Sequence, residues 1–221
     1  MIKPGENAAF VCRMEDILNL YHEPYDPARP VICFDESNKA LHKHVRDLLP
    51  GVPGAVARYD YTYEQNGTRN LFMMSESLVG WRHVEVTKRR RKQEFVQQMQ
   101  ALVDEHYPDA VGIRVVLDNL ETHKAYAFYE FLPPEEARRL LGKLEFHFTP
   151  KHGSWLNMAE IEFSALATEC LNRRIPHAAT LRAEVAAWER TRNEDESAID
   201  WQFTTEDARI KLRQLYPTIH A

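Results

Sequence analysis

Apolar residues recur with two different periods along the chain, and the change of period marks the predicted elements. Over residues 6–21 they recur at helical spacing, and Pro24 closes this predicted helix. The stretch VICFDES at 31–37 is instead a short run of apolar, β-prone residues. Such a run predicts a buried strand, so the two acids near its end, Asp35 and Glu36, are unexpected.

The next segments alternate apolar and polar residues with the period of a strand. This alternation covers residues 55–64, 69–77 and 81–88, and an Asn-Gly pair at 66–67 predicts a hairpin turn between the first two. These segments therefore predict antiparallel strands that form a meander.

Helical and strand patterns then alternate to the end of the chain. Strands are predicted at 112–119 and 144–150, and helices at 88–108, 124–143 (broken at Pro133-Pro134), 155–173, 180–193 and 204–215. Counted as three strands in a hairpin-type meander followed by helix, strand, helix, strand and helix, this order predicts an α/β fold, with a mixed five-stranded sheet and helices on both faces, as in a ribonuclease H-like domain. We expect that domain over 31–175, after an N-terminal helix and linker at 1–30 and before a C-terminal helical extension at 176–221.

Composition narrows the class of protein. The chain has 221 residues, enough for one sizeable α/β domain, and its hydrophobic fraction of 44% is ordinary for a globular protein. No apolar run approaches membrane-spanning length, and the N-terminus lacks the apolar core of a secretory signal. The cysteines (Cys12, Cys33 and Cys170) are odd in number and far apart, which favours a reducing compartment and a cytoplasmic protein.

The formal net charge of −5 counts mildly against a nucleic-acid partner, but positive charge is concentrated locally. A basic run predicted to contact DNA phosphates contains Lys88, Arg89, Arg90, Arg91 and Lys92. The alternative is a solvated helix start, although the helix dipole disfavours positive charge there.

A basic pair, Lys151 and His152, also has two interpretations. The two residues either contact DNA or form a turn that Gly153 ends.

Acidic residues occupy unusual positions. Asp35 ends the first strand, Asp118 ends the strand VVLD, and Glu160 lies early in a helix after a short strand. Carboxylates gathered at strand ends would raise each other's pKa, and Mg²⁺ or Mn²⁺ would remove that penalty. Two such ions suit phosphoryl transfer on a nucleic-acid backbone. Helical periodicity alone does not separate Glu160 from Glu162, because both flank the buried stripe.

Three blocks carry a family resemblance. FDES at 34–37, LDNLETHK at 117–124 and TPKHGSWLNMAEIEF at 149–163 resemble the acidic blocks of DDE transposases, most closely the insertion-sequence-630 group of the mariner-like superfamily. The resemblance runs from about residue 24 to 216. It implies a catalytic triad of Asp35, Asp118 and Glu160, the last chosen by the family's Leu-Asn-x-x-Glu pattern.

The resemblance implies a metal-dependent nuclease and strand transferase. Such enzymes cut DNA at transposon ends and join the 3′ end to target DNA, usually as dimers, with two Mg²⁺ or Mn²⁺ ions held by the triad. In a bacterial cell that work lies at the nucleoid. Family members usually carry an N-terminal helix-turn-helix that recognises the ends, and here the catalytic domain begins almost at once. The alternatives are a non-catalytic DNA-binding or assembly module, a relic or half of a split transposase, and a plain ribonuclease H-like nuclease.

Strand alternation separates the two acids of the first block. Asp35 shares a face with Cys33, whereas Glu36 shares one with Phe34. Only one of them can point into a common site, and the family pattern selects Asp35. Glu36 is then expected to be a neighbour of the site or a surface group.

Overall fold

A computed structural model describes residues 7–44 and 63–217 of the chain. Its helices are α1 (Asn7–Tyr21), α2 (Lys92–Ala101), α3 (Tyr126–Phe131), α4 (Pro134–Lys143), α5 (Ala159–Glu169), α6 (Ala178–Glu194) and α7 (Thr205–Lys211). Its strands are β1 (Val31–His44), β2 (Tyr63–Glu76), β3 (Trp81–Thr87), β4 (Ile113–Leu117) and β5 (Leu144–Phe148). Short turns of 3₁₀ or π-helix lie at Leu102–His106, Glu121–His123, Ser154–Leu156 and Arg213–Leu215.

The strands form one sheet in the order β3-β2-β1-β4-β5. β1, β2 and β3 pair antiparallel, and β4 pairs parallel with both β1 and β5. Each parallel connection needs a crossover, and helices supply it, as the alternation of patterns predicts. The predicted mixed five-stranded sheet is confirmed.

Helices cover both faces of the sheet because the central strands are apolar on both sides. On β1, Val31 and Cys33 belong to the core that contains residues of α1, α5, α6 and α7. Ile32 and Phe34 belong to a second core, built with α2, α3 and α4. The predicted alternation along VICFDES is therefore confirmed, and the face that Asp35 shares with Cys33 is the one covered by α5. In the part of the chain that the structure describes, no helix combines the length and hydrophobicity that a membrane-spanning segment needs.

The first strand does not end at its acids. β1 continues to His44, so Asp35 and Glu36 lie within it. Pairing with β4 stops at Cys33, whereas pairing with β2 continues past both acids. The predicted strand end was wrong because a second partner keeps the backbone extended. Among the described residues, the edge of β1 that pairs with β4 has no neighbouring strand beyond Cys33, and Asp35 lies there.

The predicted hairpin turn at 66–67 was also wrong. Both residues lie within β2, which pairs with β1. The β1–β2 register shifts between Ala40 and His42, so the Asn-Gly pair lies opposite Leu41 as a bulge. The φ angle of Gly67 is +82°, which a glycine adopts without strain. The strand predicted at 55–64 lies mostly outside the described residues.

Candidate active site

Parallel pairing brings Asp35 and Asp118 to the same level of the sheet. The β1–β4 register pairs Cys33 with Val116. Asp35 and Asp118 each lie two residues further along, where this pairing has ended. Because side chains alternate along strands, Asp35 extends the face occupied by Cys33, and Asp118, the residue after β4, lies close enough for its charge to act on Asp35. The sequence places these acids 83 positions apart, and the sheet register makes them neighbours.

A contact that fixes the start of α5 positions Glu160 near Asp35 and Asp118. The Asn157 side-chain amide donates to the carbonyl oxygen of Phe34 over 2.8 Å, and its Oδ1 accepts from the Ala159 amide over 3.2 Å. Asn157 is buried, so this contact ties the helix to the residue before Asp35. Glu160 follows in the first turn of α5. Within the Leu-Asn-x-x-Glu pattern, the asparagine is thus a brace for the helix.

Electrostatics show that the carboxylates interact. Burial raises the pKa of Asp35, the Glu36 amide that donates to its Oδ1 over 2.8 Å opposes this, and the charges of Asp118, Glu160 and Glu36 add to it. The result is a pKa of about 6 for Asp35. A carboxyl group with this pKa is penalised when ionised at neutral pH, and a nearby cation would remove the penalty.

A buried histidine connects Asp118 with Glu36. His123 Nδ1 lies 2.7 Å from Asp118 Oδ1, and Nε2 lies 3.1 Å from Glu36 Oε1. Burial lowers the pKa of His123, but hydrogen bonds and charge from the two carboxylates outweigh it and raise the pKa to about 9. Glu36, with a side chain only 5% exposed, is therefore an internal partner of the site and is not a surface group.

The donor chemistry of the site fits a hard divalent cation. Asp118 Oδ1 is buried and, although close to His123, has no well-directed hydrogen bond. The other candidate ligands are also carboxylates, which Mg²⁺ and Mn²⁺ prefer. Within residues 7–44 and 63–217, however, no three His, Cys, Asp or Glu side chains are grouped closely enough to hold one metal ion. The donors are therefore of a suitable chemical type but do not form a three-ligand group in the described residues.

Glu162 lies in a different environment from Glu160. Its side chain is fully buried, with Oε2 lying 3.0 Å from Arg82 Nε and 3.6 Å from Arg192 Nε. Arg82, also fully buried, donates to the carbonyl oxygen of Ser197 over 2.5 Å. Glu162 is thus an internal ion-pair partner, whereas Glu160 is partly exposed at the start of α5. Arg82 likewise adds nothing to the basic surface next to it in sequence.

The basic run lies in a loop before its helix. Residues 88–91 are exposed and α2 begins only at Lys92, so the predicted helix start at residue 88 was wrong. The Arg91 amide donates to the Glu94 carboxylate over 2.9 Å, which caps the helix four residues later than predicted. Lys92 Nζ is 2.8 Å from Glu130 Oε1, so its charge is already paired.

Two clefts, each of about 490 Å³, meet at Asp118. Arg90 and Glu36 line one of them, so the basic loop reaches the acidic site. Lys151 and His152 line the other, and the φ angle of His152 is +65° in the turn that presents it.

Arg13 of α1 lines this second cleft too, as an exposed residue. Sequence reasoning missed it because it lies more than 100 residues from the acidic block that it faces.

A mixed sheet with carboxylates at adjacent strand positions defines the site as that of a ribonuclease H-like α/β domain. The chain belongs to the DDE superfamily endonucleases, whose family model matches residues 30–182. None of the curated proteins compared with the sequence matches it.

Solved structures of Mos1 transposase share the fold. The Mos1 mariner paired end complex with Mn has a TM-score of 0.59 at 14% identity and covers 89% of this chain and 59% of that one. The paired-end complex with the left transposon end has a TM-score of 0.61 at 14% identity, covering 89% and 58%. The pre-cleavage Mos1 transpososome has a TM-score of 0.58 at 13% identity, covering 91% and 65%. The chain therefore spans about three fifths of the length of these relatives.

Proposed function

We propose that this chain is the catalytic domain of a transposase of the insertion-sequence-630 group. It would cut DNA at transposon ends and join the 3′ end to target DNA, working in the cytoplasm at the nucleoid, as a dimer on paired ends. One observation carries the proposal: the β1–β4 register sets Asp35 beside Asp118, while Asn157 holds the helix of Glu160 against the same strand. Family membership and the Mos1 complexes, solved with transposon ends, Mn and Mg, support it.

The three carboxylates would act as the ligands of two Mg²⁺ or Mn²⁺ ions. Asp35 and Asp118 would bind the ions, and Glu160 would complete the second site. Such ions activate the attacking oxygen and stabilise the leaving oxygen of a phosphodiester. The chain's own part is to hold carboxylates on rigid elements, since two are mounted on strands and the third on a braced helix. With water and then a 3′-hydroxyl as the nucleophiles, no covalent enzyme intermediate is needed.

The basic groups would hold the DNA across the carboxylates. Arg90 lies on one side of Asp118, and Arg13, Lys151 and His152 lie on the other. A strand that crosses Asp118 between the two clefts would place phosphates near both groups. Lys88, Arg89 and Arg91 would extend the contact along the loop, with Lys92 the weakest contributor because of its pairing with Glu130.

Cleavage of DNA that carries the element's terminal inverted repeats tests the function. The repeats are read from the DNA that flanks the gene, and an end-binding module is supplied in trans if required. We expect Mn²⁺-dependent cuts at the repeat ends, and none with Asp118→Asn. Salt-sensitive DNA binding without any metal-dependent cut would instead identify a non-catalytic module. An Asp118→Asn protein as active as the parent would refute the assigned site.

Neutralising the basic loop should weaken DNA binding and its dependence on salt. The slope of log K against log salt concentration should fall by about 0.9 for every phosphate that the protein no longer neutralises. We expect this fall for Arg90→Ala, measured by fluorescence anisotropy over a range of salt concentrations. Arg138→Ala is the matched control, because Arg138 is an exposed arginine on α4. Equal slopes for the two variants would show that Arg90 does not contact DNA phosphates.

A further inference from the structure

His123 is fixed more firmly than its position in a short turn requires. Its side chain is 2% exposed and lies against the rings of Phe34 and Phe95, with centroid distances of 5.5 and 4.7 Å. Its backbone amide donates to the Leu120 carbonyl oxygen over 3.1 Å. Aromatic walls and a closed turn together prevent the imidazole from rotating freely. Its two nitrogens therefore point in set directions.

Each nitrogen lies close to a carboxylate. Nδ1 hydrogen-bonds the Asp118 carbonyl oxygen over 3.2 Å and lies 2.7 Å from Asp118 Oδ1, an ion-pair contact without well-directed hydrogen-bond geometry. Nε2 is 3.1 Å from Glu36 Oε1, and the Glu36 side chain is 5% exposed. Glu36 thus orients the ring from behind, and the ring in turn contacts one oxygen of Asp118. The Asp118 side chain, 39% exposed, is free to present its other oxygen to the clefts.

Two simpler roles for His123 agree less well with its contacts. A histidine that only fills space would be expected against neutral groups, yet both nitrogens of His123 face carboxylate oxygens. A histidine that moves protons to substrate needs a nitrogen open to the cleft. Here Nδ1 is occupied by Asp118, and Nε2 points to a buried glutamate.

We propose that His123, oriented by Glu36, is a positioning residue that fixes the carboxylate of Asp118 for a divalent metal ion. This inference rests on the proposed function and assigns Glu36 a part in the same site. Partners that orient a metal ligand typically change metal affinity or activity by about 10–100-fold when they are removed. His123 and Glu36 would hold Asp118 in this way.

Mn²⁺ affinity, measured by calorimetric titration in the presence of DNA, gives a readout that does not depend on cleavage. His123→Phe keeps a ring between Phe34 and Phe95 but removes both nitrogens, and it should raise the Kd for Mn²⁺ about tenfold. His123→Asn, which restores an N–H group near Asp118, should recover part of the affinity. On the other side of the ring, Glu36→Gln keeps an acceptor for Nε2 and should bind Mn²⁺ more tightly than Glu36→Leu.

Tyr107→Phe is the matched control for removal of a partly buried polar group. Tyr107 donates to Glu76 Oε2 over 2.9 Å, and Glu76 lies three residues along β2 from Met73, the partner of Asp35. We expect its Mn²⁺ affinity to equal that of the wild type.

The outcomes separate the two proposals. If His123→Phe binds Mn²⁺ as tightly as the wild type does, the positioning role is wrong, while wild-type cleavage still supports the proposed function. If His123→Phe does not fold, wild-type affinity in both His123→Asn and Glu36→Leu leads to the same conclusion. If the wild type does not bind Mn²⁺, or Asp118→Asn binds it equally well, the proposed function fails and the positioning role fails with it.

Discussion

Replacing Asp35 with asparagine should abolish metal-dependent cleavage and, without metal, make the protein more stable at neutral pH. The loss of cleavage follows from the loss of a charged ligand. The gain in stability follows from the raised pKa of Asp35, about 6 against an ordinary 3.8. The folded protein resists ionising this group, so the ionised form costs stability. This difference of about two in the pKa corresponds to roughly 2–3 kcal/mol of folding free energy, because a difference of one is about 1.4 kcal/mol.

The sign of this effect sets its pH range. Because the folded pKa is raised, the folded state binds the proton more tightly than the unfolded state between about pH 4 and 6. Wild-type stability should therefore fall as pH rises through that range, and the advantage of Asp35→Asn should be full above pH 6 and absent below pH 4. Urea unfolding at pH 4 and 7.5 without metal measures both values. No advantage at pH 7.5 would contradict the electrostatic account.

Metal and a matched variant provide the controls. Adding Mn²⁺ should stabilise the wild type and leave Asp35→Asn unchanged, because only the wild type has the charged ligand. Asp109→Asn, an exposed aspartate after α2, should match the wild type in both stability and cleavage. An active Asp35→Asn protein would show that the first acidic block has been misassigned.

Replacing Glu162 with alanine should give the largest loss of stability. It would leave the fully buried guanidinium of Arg82 without its carboxylate partner. Breaking a buried ion pair on one side typically costs about 3–5 kcal/mol. We expect a loss of this size in the free energy of unfolding, measured with urea at pH 7.5.

Glu160→Ala is the matched control for this loss, two residues away on the same helix. Glu160 is partly exposed, so its removal should change the free energy of unfolding by less than about 1 kcal/mol while abolishing cleavage. The double variant Arg82→Met/Glu162→Leu should regain much of the lost stability, because it removes both charges. If Glu160→Ala unfolded the protein and Glu162→Ala did not, the two glutamates would have exchanged roles.

Much of the fold could be predicted from local sequence patterns. The apolar runs before Asp35 and Asp118 predicted strands, and their alternation correctly placed Asp35 with Cys33 on one face. Local patterns failed where tertiary pairing decides. The Asn-Gly pair at 66–67 has the chemistry of a turn, yet a longer β1 accommodates it as a bulge. Propensity cannot predict a bulge that depends on a partner strand.

The contacts between residues of the site could not be predicted from the sequence, for a similar reason. Glu36 and His123 are 87 residues apart, and only the sheet and the turn after β4 bring them together. Arg82 looks like part of a basic surface, but burial turns it into an internal partner of Glu162. Arg13 lies on a helix whose sequence gives no sign of the cleft that it lines. In each case the contact crosses between elements, where sequence periodicity carries no information.

The proposed function requires Asp35, Asp118 and Glu160 together to hold the metal ions for DNA cleavage. Anomalous diffraction at the manganese edge, from crystals of the protein with end DNA and Mn²⁺, would locate these ions. We expect two anomalous peaks about 3.5–4 Å apart, bounded by these three carboxylates. Manganese bound elsewhere on the chain, or bound without Asp35 and Asp118, would contradict it.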